Sequence, residues 1–268
     1  MIRKDLFDSG LPQYKLWEND ETSTVMHYYR AKVKRSDAAI VIFAGGGYSH
    51  RAKHEGEGYA LHFSELGVDS FVVDYSVSPK HFPLPLLDAR RAVRFVRYYA
   101  KQLGISPDKI AVMGSSAGGH LAALVSTYRD GISGEGVDEI DELSPFPNSQ
   151  ILCYPVICMG DESIGHSGSA RNLLGPNQLH LAKSVAPDLI AGEGTPDAFI
   201  WHTANDNAVN VINSYTYAAQ LRRLNVPVEM HIFPDGPHGL GLASHMPNTV
   251  GQWSSLMDKW LVAKGWLE

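Results

Sequence analysis

Short apolar runs punctuate the chain at Ala38–Ala44, Asp69–Asp74, Lys109–Met113, Gln150–Tyr154, Ala198–Thr203 and Val228–Phe233. Most are rich in Val and Ile and bounded by Gly, Pro or Asp, as strands buried on both faces of a parallel sheet tend to be. Longer amphipathic segments lie between them. In Pro85–Leu103 the residues Leu86, Ala89, Val93, Val96 and Ala100 recur at helical intervals, which predicts a helix. Ser116–Tyr128, Asn210–Leu224 and Thr249–Ala263 also read as helices. Strands alternating with helices predict the α/β class: a doubly wound, mostly parallel sheet. Thr22–Arg30 is expected to add an antiparallel edge.

One stretch breaks this rhythm. Gly131–Asp197 holds one clear strand and is otherwise rich in Gly, Pro, Ser and Asn. An irregular segment of that length in a compact domain is usually functional. Val156–Thr195 is therefore expected to be a small cap-like insertion within a single domain spanning residues 1–268, lying over the functional site.

Composition narrows the class. A chain of 268 residues with 44% hydrophobic and 19% charged residues can bury a large core, and α/β folds of this size often form one domain. The net charge of −6 discourages non-specific nucleic-acid binding, so no nucleic-acid partner is expected. Arg90, Arg91, Arg94 and Arg97 gather at near-helical spacing and read as a solvated helix face. The polar start Met1-Ile2-Arg3-Lys4-Asp5 has no apolar stretch of signal-peptide length. No window approaches the roughly 20 apolar residues that cross a bilayer. No membrane partner is expected, and the cytoplasm is the default compartment. A homo-oligomer is compatible with the sequence, which leaves the oligomeric state open. Cys153 and Cys158 do not make a disulfide framework and read as small buried residues near a strand end, not as a metal site.

The strongest chemical signal is Gly114-Ser115-Ser116-Ala117-Gly118, a G-x-S-x-G motif. The apolar run Ile110–Met113 precedes it and Leu121–Val125, rich in Ala and Leu, follows. In that context the central Ser116 sits on a strained strand-to-helix turn as a nucleophile, and the helix N-terminus favours developing negative charge. The bland alternative is a Gly/Ser turn capped by Ser115. Ala44-Gly45-Gly46-Gly47-Tyr48 directly follows the strand Ile40–Phe43. Acyl transfer needs backbone N–H donors for a tetrahedral oxyanion, and Gly46, Gly47 and Ala117 are the candidates. A dinucleotide loop is disfavoured, since neither G-x-G-x-x-G nor G-K-[ST] occurs there. A plain flexible turn is the simpler alternative.

Asp206 lies just past one strand and His238 just past the next, giving the order Ser, Asp, His. The histidine would move the serine proton and the aspartate would fix its tautomer. Rivals exist among the 12 histidines. His202 lies within a strand and reads as a packed residue. His245 is expected to begin the last helix, and His120 to point into the helix after the elbow. His50 and His54, four apart, could share a helix face as metal ligands, but no third ligand is apparent. Asp235 is the rival acid on the His238 loop.

Phe43–Tyr48, Gly114–His120, Trp201–Val209 and Asp235–Leu242 together resemble the acetyl-esterase and acetyl-xylan-esterase-like branch of the α/β-hydrolases. The resemblance runs from about residue 20 to the C-terminus. Ala44 stands where many members of the hormone-sensitive-lipase branch carry a histidine. With only about 35 residues before the first expected sheet strand, the helical N-terminal cap of that branch is not expected, so the smaller sugar-ester branch is the better match. The resemblance implies hydrolysis of a small ester, with a short acyl group such as acetyl on a carbohydrate, through an acyl-enzyme and without cofactor. Two other classes stay open: a serine peptidase of the prolyl-oligopeptidase type, for which the chain lacks room for a propeller, and a non-catalytic binding protein on the same fold. Dehalogenases and dienelactone hydrolases would need Asp or Cys in place of Ser116.

Overall fold

The six apolar runs form the parallel part of a nine-stranded sheet in the computed structural model, which describes residues 5–6, 12–16, 24–247 and 249–268. In chain order the strands are β1 (Asp5–Leu6), β2 (Pro12–Lys15), β3 (Val25–Tyr29), β4 (Ala39–Phe43), β5 (Asp69–Val73), β6 (Ile110–Ser115), β7 (Ser149–Cys153), β8 (Ala198–Thr203) and β9 (Val228–Phe233). Their spatial order is β1-β2-β3-β5-β4-β6-β7-β8-β9. Strands β4 to β9 pair in parallel, while β1, β2 and β3 are antiparallel to their neighbours. Both ends of β8 and β9 fall where the apolar pattern predicts them. β6 continues beyond its predicted end, carrying Gly114 and Ser115 into the sheet.

Two N-terminal expectations change. The segment Thr22–Arg30 supplies β3, which is antiparallel but not an edge, because β2 pairs on its outer side. Thr22 and Ser23 themselves lie outside the described residues. The residues before β4 are thus partly sheet, and the first sheet strand comes earlier than expected.

The helices are α1 (Lys53–Leu66), α2 (Leu84–Tyr98), α3 (Ala100–Leu103), α4 (Ala117–Thr127), α5 (Ser167–Leu174), α6 (Pro187–Ile190), α7 (Ile212–Arg223) and α8 (Trp253–Ala263). The predicted helix Pro85–Leu103 is divided at Tyr99, and Thr249–Gln252 is a 3-10 turn leading into α8. His245 sits in a turn ahead of that segment and does not begin the helix. Helix α1 has no apolar stripe to announce it. Its buried side includes Glu55, Gly56 and Ser64 beside Tyr59, Ala60 and Phe63. No helix among the described residues is long and apolar enough to cross a membrane.

Side chains alternate across β4: Ala39, Val41 and Phe43 join one core, Ile40 and Ile42 the other. Leu86 and Val93 of α2, Leu121 of α4 and Tyr217 of α7 cover the first face. Tyr59 and Phe63 of α1 and Trp253 and Met257 of α8 cover the second. Burial on both faces explains why β4 reads as an unbroken apolar run.

The arginines of α2 correct the sequence reading. Arg90, Arg91 and Arg94 are buried, and Arg97 is half-buried. Arg91 meets Asp138 at 2.6 Å and Asp141 at 2.9 Å, while Arg90 and Arg94 reach Glu135 at 3.0 and 2.8 Å. Arg97 donates to the Phe146 carbonyl at 3.0 Å and to the Ser144 carbonyl. These bonds anchor the irregular strap between α4 and β7. Their acidic partners lie more than 40 residues downstream, beyond the reach of helical periodicity.

Candidate active site

The parallel strands deliver their C-terminal ends to one edge of the sheet, where loops of an open α/β sheet converge on a ligand crevice. Ser116 occupies the turn between β6 and α4 with φ 53° and ψ −119°, a conformation costly for a residue with a Cβ. The elbow is tight enough to require its flanking glycines. A Cβ on Gly114 would lie 2.1 Å from the Gly118 carbonyl oxygen, and one on Gly118 would lie 2.1 Å from that of Phe43. The Ser116 carbonyl accepts the His120 and Val156 N–H groups, both at 3.0 Å, which holds the strained turn. Neighbouring Ser115 is fully buried, with its hydroxyl 2.7 Å from that of Tyr59.

His238 Nε2 lies 2.9 Å from Ser116 Oγ, and His238 Nδ1 lies 2.7 Å from Asp206 Oδ2. The structure thus brings together the three residues singled out in sequence. Asp206 is buried, and its Oδ1 accepts the Ala208 and Val209 N–H groups at 2.9 Å each. Burial works to raise its pKa. Hydrogen bonds with His202, His238 and the Val209 N–H outweigh that effect and hold the carboxyl well below the usual carboxylate range. Asp235 instead meets Asn205 Nδ2 at 3.2 Å, on the outer side of the loop.

His202 is packed within β8, as its position suggests, but it also serves the acid. Its Nδ1 is 2.8 Å from the Ser214 hydroxyl, leaving Nε2 between the Val209 carbonyl at 3.0 Å and Asp206 Oδ2 at 3.3 Å. The i to i+4 spacing of His202 and Asp206 was visible in sequence, but a strand and the turn after it give that spacing no fixed meaning.

In the glycine loop, the Gly45 N–H is taken by Glu55 Oε2 at 2.8 Å. The N–H groups of Gly46 and Gly47 have no protein acceptor among the described residues. The Ala117 N–H opens α4, where the first turn of a helix leaves its donors unpaired. Asn172 of the segment between β7 and β8 donates to the Gly47 carbonyl at 2.8 Å. That segment contains α5, a 3-10 turn at Leu179–Val185 and α6. It also carries His166, which accepts the Ser169 N–H at 3.1 Å to cap α5. Burial lowers the His166 pKa, and the nearby charge of His238 lowers it further.

His50 precedes α1, so it shares no helix face with His54. His54 instead bonds the Gly239 carbonyl at 2.9 Å. His120 does not point along its own helix. It spans from the Tyr48 hydroxyl at 2.7 Å to the Val185 carbonyl at 2.8 Å, tying the glycine loop to the segment between β7 and β8.

Full burial pushes the His120 pKa down from 6.5 to about 4, against the opposing Val185 hydrogen bond. Between these values the unfolded chain binds a proton that the folded chain refuses. Its contribution to stability is therefore complete above pH 6.5 and is lost as the pH falls toward 4, by roughly 3 kcal/mol. Urea unfolding of wild type and His120→Gln, at neutral pH and just above pH 4, should show a flatter pH dependence for the variant. Parallel dependences would assign the acid sensitivity elsewhere.

Residues 26–221 match the BD-FAE family. The chain is 36% identical over 224 residues to endo-1,4-beta-xylanase B of Butyrivibrio fibrisolvens, covering 79% of this chain and 33% of that protein. It is 32% identical over 243 residues to an acetylxylan esterase of Xylanibacter ruminicola, covering 87% of this chain and 46% of that protein. The chain therefore spans a third to just under half the length of these curated relatives. Among solved structures, an acetyl ester-xyloside bifunctional hydrolase from Caldicellulosiruptor lactoaceticus superposes with a TM-score of 0.88 and 39% identity, over 96% of this chain and 97% of that one.

Proposed function

Since this chain belongs to the BD-FAE family and has the α/β-hydrolase fold, we propose that it is a serine carboxylesterase acting on short acyl esters, above all acetyl groups on carbohydrates. The observation that carries the reading is the continuous relay of Ser116 Oγ, His238 and Asp206, with spacings of 2.9 and 2.7 Å.

Ser116 Oγ attacks the ester carbonyl carbon while His238 Nε2 takes the hydroxyl proton. The carbonyl oxygen becomes an oxyanion, held by the N–H groups of Gly46, Gly47 and Ala117. Collapse breaks the bond to the alcohol, which leaves with the proton from His238. Water then attacks the acyl-enzyme, again losing its proton to His238, and Ser116 is released with the carboxylic acid. Asp206 stays ionised throughout, opposite the imidazolium. No cofactor enters this sequence.

We read residues 156–195 as a cap over this site, supported by Asn172 on the Gly47 carbonyl and His120 on the Val185 carbonyl. Its composition, with Asp161, Glu162, His166, Arg171 and Asn172, suits a polar alcohol better than a lipid surface. The names of the acetylxylan esterase and the acetyl ester-xyloside hydrolase support the same substrate class. We place the chain in the cytoplasm, a reading supported by two buried, unpaired thiols, Cys153 and Cys158.

The test is kcat/KM across p-nitrophenyl acetate, butyrate, octanoate and palmitate, alongside acetylated xylo-oligosaccharides. Each methylene that found a pocket would add roughly 0.8 kcal/mol of transfer free energy. A shallow acyl pocket instead makes kcat/KM fall as the acyl chain lengthens, and that fall is the expected result. A maximum at octanoate or palmitate would refute the short-acyl assignment. A p-nitrophenyl xyloside in the same panel tests whether the second activity named for the Caldicellulosiruptor protein extends to this chain.

A further inference from the structure

Beneath the glycine loop lies a carboxyl group that the reaction above does not use. Glu55, on α1, has a side chain only 4% exposed, yet no lysine or arginine pairs with it among the described residues. Its nearest basic group, His54 Nε2, is 4.0 Å away and bonds the Gly239 carbonyl. Burying such a group without a cation is expensive unless hydrogen bonds compensate. Glu55 Oε2 accepts the Gly45 N–H at 2.8 Å, and Oε1 accepts the Tyr154 hydroxyl at 2.7 Å.

Those two donors belong to different parts of the site. Gly45 opens the loop that carries Gly46 and Gly47. The Tyr154 hydroxyl accepts the Gly241 N–H at 2.9 Å, on the loop that carries His238, and the Tyr154 ring packs edge-on against His238 with centroids 5.0 Å apart. Space is reserved for the carboxyl as well. A Cβ on Gly45 would lie 2.3 Å from Glu55 Oε2 and 2.8 Å from the Ser115 carbonyl oxygen.

We propose that Glu55 is a positioning residue that fixes the oxyanion donors and His238 in mutual register, the former through Gly45 and the latter through Tyr154 and Gly241. It touches neither substrate nor reacting atoms. The proposal rests on the esterase reading above. Register matters because both groups act in one transition state: the donors must meet the oxyanion while the imidazole meets the serine proton. A misplacement of about 1 Å can cost about 10²-fold in rate.

Glu55→Gln keeps the shape of the side chain but replaces one acceptor oxygen with a donor. Its single oxygen can accept from the Gly45 N–H or from the Tyr154 hydroxyl, not from both. The experiment is steady-state hydrolysis of p-nitrophenyl acetate by wild type, Glu55→Gln, Tyr154→Phe and the double variant, each normalised to the concentration of serine titrated by a fluorophosphonate probe. The expected result is a kcat per titrated site about 10²-fold lower in Glu55→Gln with little change in KM. The double variant should cost less than the product of the two single losses, because both cut the same connection. A merely structural role would reduce the titrated fraction and the Tm while leaving kcat per titrated site unchanged, and that outcome overturns the proposal. If Glu55→Gln does not fold, Tyr154→Phe decides alone: unchanged kcat per titrated site overturns the proposal. Wild-type protein that fails to react with the probe would instead refute the esterase reading itself.

Discussion

Replacing Ser116 by alanine should reduce ester hydrolysis by about 10⁶-fold, the scale seen when the nucleophile of a serine hydrolase triad is removed. The residual rate would come from binding and the oxyanion donors alone. Folding should be almost untouched. Among the described residues the Ser116 hydroxyl has one protein partner, His238 at 2.9 Å, and losing a hydrogen bond of this kind costs about 1 kcal/mol. The positive φ of 53° is borne by a residue with a Cβ in both cases, so the strain of the turn does not change. A fluorophosphonate probe should label wild type and leave the variant unlabelled. Persistent labelling or turnover would move the nucleophile elsewhere. Ser115 is a poor substitute, since its buried hydroxyl is engaged by Tyr59 at 2.7 Å.

Asp206→Asn should lower kcat by about 10⁴-fold, as the corresponding change does in the serine-protease triad. The local geometry gives the reason. Both oxygens of Asp206 act as acceptors, for His238, His202 and the N–H groups of Ala208 and Val209. An asparagine has a single acceptor oxygen, so its amide N–H₂ must face one of these donors. If the oxygen stays with the backbone, the amide confronts His238 Nδ1. The imidazole is then driven to the tautomer with its proton on Nε2, which cannot accept from Ser116. Asp235→Asn should change kcat only a few-fold, because its contact with Asn205 lies outside the relay. Comparing kcat for the two variants checks the assignment, and the reverse ranking would transfer the acid role to Asp235.

Part of this site was legible residue by residue. A strand-to-helix elbow needs glycines on both sides of a serine, so Gly114, Ser116 and Gly118 announce themselves locally. The order expected for such a fold then puts an acid and a base just past later strands, which made Asp206 and His238 the candidates. The helpers were not legible. His120, His202 and Glu55 bear on Tyr48, Asp206 and Tyr154, and two of those three partners are distant in the chain. Nothing in the spacing of residues 50–66 marks Glu55 as buried, because the buried face of α1 mixes polar and apolar residues and forms no apolar stripe.

What the sequence determines by itself follows from local rules. Burial on both faces makes the central parallel strands such as β4 and β6 apolar runs, and the steric demand of the elbow writes a short motif. Tertiary structure decides what depends on distance through space. It placed His238, one of 12 histidines, against Ser116, set Asp206 rather than Asp235 beside that histidine, and engaged Ser115 with Tyr59. It also buried Arg90, Arg91 and Arg94, whose periodicity suited a solvated face equally well. A charged side chain is stable inside a protein only where partners satisfy it. Those partners, Glu135, Asp138 and Asp141, reach α2 only when the strap between α4 and β7 folds across it.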